Sequence, residues 1–340
     1  MASTSAFSSQ TSSPRLRAQS TSKRAEAEET ESGYASASSA RGSGSDSDSD
    51  SSDSDAAPGL PQITLTKPHL RYLNQQMEKM TAMDRLRFAL HLFPRLFQTT
   101  AFGLTGLVTM DMLARLSASD PSLPAVEAIF LDTLHHFPET YALLSRVRAR
   151  YPSIKLHVYR PDGAATPAEF EARYGPALYD SAAELYDWVA KVEPQQRAYA
   201  ELGVAAVLTG RRRSQGGERD RLPVLEVDEE RGIVKVNPLL DWSFAQVRAY
   251  IAEHDVPYNE LLDRGYKSVG DWHSTSPVGA GEDERAGRWK GQQKTECGIH
   301  NKKSRYAQFL AQQEQIKQQQ QQQEKHKEKE NEGHLISVSS

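Results

Sequence analysis

One cysteine, Cys297, stands among 340 residues. A sole thiol closes no disulfide within its own chain and holds no iron–sulfur cluster by itself. Long apolar runs are missing too: none approaches the ~20 residues of a membrane-spanning helix, and no apolar stretch follows the N-terminus. A soluble, intracellular, cytoplasmic protein with no membrane partner is the expectation. Charge of one sign is scarce in the middle of the chain. The net charge of -4 owes much to the acidic Ser/Asp run at residues 43–55, and near-neutrality elsewhere argues against a general polyanion-binding surface, so no nucleic acid is expected.

Hydrophobic residues make up only 38% of the chain, and the shortfall falls at its ends. Residues 1–60 are Ser/Asp-rich without apolar periodicity, the composition of a disordered arm. Arg15, Arg17, Lys23 and Arg24 precede the first acidic residue, Glu26, as in a transit peptide, but the apolar face is poor and disorder is the expectation. Residues 311–340 form a Gln/Lys/Glu-rich tail. The span between, about 65–310, is long enough for one sizeable core.

Within that span, apolar spacing predicts helices over 65–96, with Asp84 as an N-cap and Pro94 as the stop. A strand over 96–102 runs into a Thr/Gly-rich turn, 99–106, and then a helix to about Leu116. Such a junction aims backbone N–H groups and a helix dipole at an anion, although a lone Gly-x-x-Gly is weak evidence. A continuous apolar run, 125–131, ends in Asp132 and Thr133 and reads as a buried parallel strand. Further strands are expected at 154–159 and 204–208, a hairpin at 224–236, and helices at 138–151, 167–174, 181–189, 193–202 and from Ser243 to about His254. Residues 182–188 read alternatively as an irregular connection. A short amphipathic turn is expected at 304–310. Strands alternating with helices predict an α/β fold with a doubly wound, mostly parallel sheet.

Three stretches carry chemistry. The loop 210–219 holds four arginines at a strand end, and the guanidinium fork matches phosphate and sulfate oxygens. His135 and His136 lack a third nearby ligand, so hydrogen bonding or packing is expected of them and no metal site. Cys297 lies among Lys294, Glu296 and His300, past a long polar loop that suggests a mobile segment over about 275–305. Its cationic neighbours favour the thiolate. A lone cysteine is often a buried small hydrophobe, but Gly, Lys, Glu and His describe an exposed polar segment.

Taken in order, the motifs Thr99 to Gly106, Leu131-Asp132-Thr133, Gly210 to Arg219, Tyr266 to His273 and Lys294 to His300 resemble the phosphoadenosine phosphosulfate (PAPS) reductase family, its fungal branch most closely. The likeness spans about residues 65–310, and Glu-Cys-Gly-Ile-His is its most specific part. The resemblance implies an adenine nucleotide α-hydrolase-like fold. It implies reduction of 3'-phosphoadenylyl sulfate to sulfite and adenosine 3',5'-bisphosphate in assimilatory sulfate reduction, with Cys297 catalytic and thioredoxin or glutaredoxin as electron donor. It also implies a homodimer, with no tightly bound cofactor and no iron–sulfur cluster. Substrate contacts implied by matching residues are Thr99, Thr100, Phe102, Gly103, Gly106, Asp132, Arg212, Gln215 and Arg219, joined by Lys267, Ser268 and His273. Lys294, His300, Arg285, Arg288 and Lys290 are supporting residues. Leu134 stands where many members have Gly.

Two alternatives stay open. One is reduction of adenylyl sulfate without an iron–sulfur cluster; the other is a non-catalytic nucleotide-binding scaffold, which would not need Cys297. An ATP pyrophosphatase on the same fold would carry Ser-Gly-Gly-x-Asp-Ser where this chain has Thr-Ala-Phe-Gly-Leu-Thr-Gly.

Overall fold

The computed structural model describes residues 65–229, 231–290 and Ile299. Chain contacts separate residues 1–54 from 55–340, and the described residues belong to the second unit. The arm 1–60, the tail 311–340, the turn 304–310, Lys294, Cys297 and His300 lie outside the described residues.

Two helices open the fold, α1 (Lys67–Met77) and α2 (Ala82–Leu92). The N-cap of α2 is Thr81, not the expected Asp84: the Thr81 hydroxyl accepts the Asp84 N–H at 3.2 Å. A cap must precede the first helical residue, and Asp84 sits in the first turn, where its charge complements the helix dipole. Arg85 of α2 is fully buried, its guanidinium spread over the Met77 and Pro238 carbonyls and the Asp241 carboxylate.

Strand β1 (Leu96–Thr100) leads into α3 (Leu104–Ser119), and β2 (Glu127–Leu131) into α4 (Pro138–Arg150). β3 (Leu156–Tyr159) is followed by α5 (Pro167–Tyr174). Then come α6 (Leu178–Ser181), α7 (Ala183–Asp187), a π-helical stretch (Trp188–Val192) and α8 (Glu193–Glu201). The single helix expected over 181–189 is thus broken at Ala182, whose φ of -148° and ψ of 68° are not helical, and its later part runs through the π stretch into α8. β4 (Ala206–Leu208), β5 (Leu225–Asp228), β6 (Ile233–Val236) and α9 (Phe244–His254) complete the order.

The six strands lie in the order β3-β2-β1-β4-β6-β5, all parallel except β5, which forms the expected hairpin with β6. The order runs one way from β1 to β3 and the other from β4 outward, so the chain reverses direction between β1 and β4. In open sheets of this kind the crevice beyond the carboxyl ends at that reversal receives ligands. The edge strand β5 is covered by Asn74 of α1, whose amide exchanges two hydrogen bonds with the Leu225 backbone at 2.8 and 3.0 Å. No helix among the described residues is long and apolar enough to cross a membrane.

The main core packs α3 against the sheet, α2 and α9. One polar group bolts it: the buried Asp111 carboxylate accepts from Tyr151, the C-cap of α4, at 3.0 Å, Tyr250 of α9 at 2.8 Å and Arg115 at 2.7 Å. Burial together with that carboxylate raises both phenol pKa values. Asp111→Asn replaces an acceptor by an amide donor facing two hydroxyls. It is expected to cost about 2 kcal/mol and to lower Tm by roughly 4–8 °C in thermal unfolding. An unchanged Tm would refute that bolt.

Candidate active site

The carboxyl end of β1 supplies Thr99 and Thr100, and the chain then turns sharply. Phe102 takes φ +57°, held there by its N–H bonding the Thr100 hydroxyl at 2.9 Å and by its ring packing on Phe130. That reversal delivers Gly103 as the N-cap of α3 with no side-chain cap bond, and the first turn of this 16-residue helix, Gly103 to Gly106, lines the crevice, where its N–H groups and dipole favour an anion. Glycine is needed next to it for space. A Cβ on Gly106 would lie 3.1 Å from the Thr100 hydroxyl, and one on Gly210 would lie 3.3 Å from the Gly106 nitrogen.

Two adjoining cavities open here, of about 230 and 200 Å³. They share Thr99, Thr100, Gly210, Arg219, Arg285 and Arg288. The smaller adds Phe102, Gly103, Gly106, Gln215, Lys267 and Ser268. The turn, the arginine loop and the segment after α9 therefore meet, although they are far apart in sequence. The walls carry Lys191, Arg219, Lys235, Arg285 and Arg288 against the carboxylates of Asp271 and Glu284. A surplus of cations over carboxylates suits an anionic ligand.

Three expected contacts sit behind these walls. Asp132 is buried and occupied by the scaffold, accepting from the Tyr141 hydroxyl at 2.7 Å, Arg160 at 2.9 Å and the Leu134 N–H at 3.1 Å. Arg212 is fully buried. Its guanidinium reaches Thr105 at 2.9 Å, Ser214 at 2.7 Å and both oxygens of Glu284 at 2.5 and 2.6 Å. His273 stacks on Tyr179 at 4.0 Å between ring centres. Lys290 is exposed and lines neither cavity. Of the remaining loop arginines, Arg211 pairs with Glu226 at 2.7 Å and Arg213 with Glu78, so the run is divided between scaffold and cavity.

His135 and His136 bond the carbonyls of Thr133 at 2.8 Å and Leu131 at 2.9 Å. Residues 274–290 fold back on themselves: Ser276 N–H donates to the Gly287 carbonyl at 2.9 Å and Trp289 N–H to the Ser274 carbonyl at 2.9 Å. This brings Arg285 and Arg288 to the cavity. Arg288 lies against Gly270, where a Cβ would collide with its guanidinium, and 4.7 Å over the Trp289 ring. Ile299, two positions past Cys297, also lines the larger cavity.

Sequence reasoning did not place Lys191, Gln195, Tyr199, Lys235 or Glu284 at the site, and it noted Thr133, His136 and the stretch holding Asp271 without assigning them as contacts; all of these line one cavity or the other. Asp271 lies inside the motif Tyr266 to His273 and could have been found there. Lys191 reads as an ordinary surface residue before a helix, and only the π stretch turns it inward.

Comparison with known proteins agrees with this geometry. The phosphoadenosine phosphosulfate reductase domain matches residues 95–277. The phosphoadenosine phosphosulfate reductase of Emericella nidulans is 59% identical over 260 residues, covering 76% of this chain and 84% of its own. That of Saccharomyces cerevisiae is 53% identical over 254 residues, covering 74% and 96%. The crystal structure of the Candida auris phosphoadenylyl-sulfate reductase in a phosphate complex is 51% identical with a TM-score of 0.58, covering 64% of this chain and 100% of that one. With the sheet, the turn and the cationic crevice in agreement, the chain belongs to the phosphoadenosine phosphosulfate reductase family.

Proposed function

We propose that the chain reduces 3'-phosphoadenylyl sulfate to sulfite and adenosine 3',5'-bisphosphate in sulfate assimilation, in the cytoplasm, as a homodimer, with thioredoxin as reductant. One observation carries this: the crevice beyond the carboxyl ends of β1 and β4, where the strand order reverses, is walled by cations, and Ile299 lines it. Two residues of extended chain span at most about 7 Å, so Cys297 has the crevice within reach. The N–H groups at the start of α3, with Arg219, Arg285, Arg288 and Lys267, are the anion-holding groups, and Arg212 with Gln215 extends them once Glu284 is displaced. Lys191 and Lys235 face the same space. Asp132 and His273 act as supports behind the wall.

In the first step the Cys297 thiolate attacks the sulfonate sulfur. A sulfur–sulfur bond forms, the sulfur–oxygen bond of the phosphate–sulfate anhydride breaks, and its electron pair leaves on the nucleotide phosphate, where the cations stabilise it. In the second step a thiolate of thioredoxin attacks the Cys297 sulfur and expels sulfite with the bonding pair. The partner's second thiol then resolves the mixed disulfide and frees Cys297. The dithiol supplies the two electrons, so no bound redox cofactor takes part in this scheme. Lys294 and His300 favour the thiolate.

Sulfite release with thioredoxin tests the substrate. The 3'-phosphorylated nucleotide is expected to exceed adenylyl sulfate by at least about 100-fold in kcat/KM, because two lost charge-assisted hydrogen bonds are worth about 3 kcal/mol. Preference for adenylyl sulfate would overturn the assignment.

A further inference from the structure

Lys191 is an unusual residue to find on a cavity wall, because it is buried. Its ammonium lies 3.1 Å from the Asp187 carboxylate, one turn back on its own helical run, and 2.8 Å from Asp271, which arrives from a loop 80 positions later. It also sits 4.9 Å over the Tyr186 ring. Asp271 is held from several sides. One oxygen accepts from the Thr133 hydroxyl at 2.6 Å and the other from the Tyr186 hydroxyl at 3.1 Å. The His136 and His273 rings each stand 3.7 Å away, and the Asp271 backbone bridges to that of His136.

Burial pushes the Asp271 carboxyl up, but the Lys191 charge, with the hydrogen bonds from Lys191 and Thr133, outweighs it and holds the pKa well below the usual carboxylate range. The group is therefore an anion throughout the working pH range. A buried ion pair seldom stabilises a protein more than apolar side chains of the same volume would. What this one does is hold the Lys191 ammonium, between two carboxylates, at a defined point on the wall. Asp187 ties Lys191 to its own helical run, and Asp271 ties it to the carboxyl end of β2 through Thr133.

We infer that Asp271 is a positioning residue for the sulfur-transfer step, acting through Lys191: it fixes that ammonium toward the reacting anion, where it stabilises the charge that develops on the departing phosphate oxygen. This rests on the proposed function above. It predicts an effect on turnover and little on nucleotide affinity, since the charge is matched to the transition state and not to the bound ground state.

A double-mutant cycle tests it, with 3'-phosphoadenylyl sulfate saturating and thioredoxin in excess. Asp271→Asn is expected to lower kcat roughly 30-fold while the Kd for adenosine 3',5'-bisphosphate changes less than about threefold. In the Lys191→Gln background the same change is expected to cost less than about threefold, because the ammonium it positions is gone. A merely structural Asp271 would cost the same factor in both backgrounds, and that result would overturn the inference. Lys191→Gln with wild-type kcat would also overturn it while leaving the cysteine chemistry standing. Lack of turnover by the wild type would instead remove the functional assignment and the inference with it. Should Asp271→Asn not fold, Tyr186→Phe keeps the carboxylate and deletes one donor to it. Its expected fall of roughly fivefold in kcat must likewise vanish in the Lys191→Gln background.

Discussion

Cys297→Ser is expected to lower sulfite release by at least about 10⁴-fold in kcat while adenosine 3',5'-bisphosphate binds within about twofold of wild type. Two separate losses combine. A serine hydroxyl is far less ionised than a thiol near neutral pH, so the attack on the sulfonate slows. More decisively, an oxygen nucleophile could only form a sulfate ester. Thioredoxin reduces by thiolate attack on sulfur in a sulfur–sulfur bond, and the ester offers none, so even a slow first step would lead to no sulfite. With one cysteine in the chain, no second thiol could substitute. Mass spectrometry of wild type quenched rapidly after mixing with substrate, reductant omitted, should show a sulfonate on Cys297. Sulfite formed by Cys297→Ser, or product formed by wild type without that adduct, would remove Cys297 from the mechanism.

Much of the fold was legible because its signals are local. Apolar runs at 125–131 and 204–208 mark buried parallel strands, and Ser243 with Gln246 makes a reciprocal cap for α9, each side chain bonding the other's backbone. The order of strands is not local, since it depends on which apolar faces meet, and only the alternation of strand and helix pointed toward it. The cap of α2 was misassigned because Thr81 and Asp84 are both good capping residues, and the choice rests on where the backbone enters the helix.

The candidate site divides along the same line. Residues on the β1 turn and the arginine loop were legible, since a strand end fixes where they point. Whether a given arginine meets ligand or scaffold was not, because that depends on which carboxylate the fold brings to it: Glu226, Glu78 and Glu284 come from 15 to 135 positions away. Lys191 and Asp271 meet across 80 positions for the same reason.

Glu284→Ala carries the largest expected effect on stability. It would leave Arg212, with 1% of its side chain exposed, bonded to Thr105, Ser214 and the Trp242 carbonyl but without its counter-charge Glu284, the one carboxylate paired with it among the described residues. Removing one partner of such a pair costs about 3–5 kcal/mol, which lowers Tm by roughly 6–20 °C for a domain of this size. The ligand-free protein shows that cost in full. If Arg212 is the nucleotide contact that the family resemblance implies, the nucleotide's phosphate takes the place of the Glu284 carboxylate, and binding restores what the substitution removed. Saturating adenosine 3',5'-bisphosphate should then raise the Tm of Glu284→Ala by more than it raises that of wild type, where the phosphate must first displace Glu284. Glu284→Gln, which keeps an acceptor and loses the charge, should fall between the two. An equal or smaller rise in Glu284→Ala would mean that the Arg212 fork stays with the scaffold when nucleotide is bound. The anion would then be held by Arg219, Arg285, Arg288 and the α3 N-terminus without it.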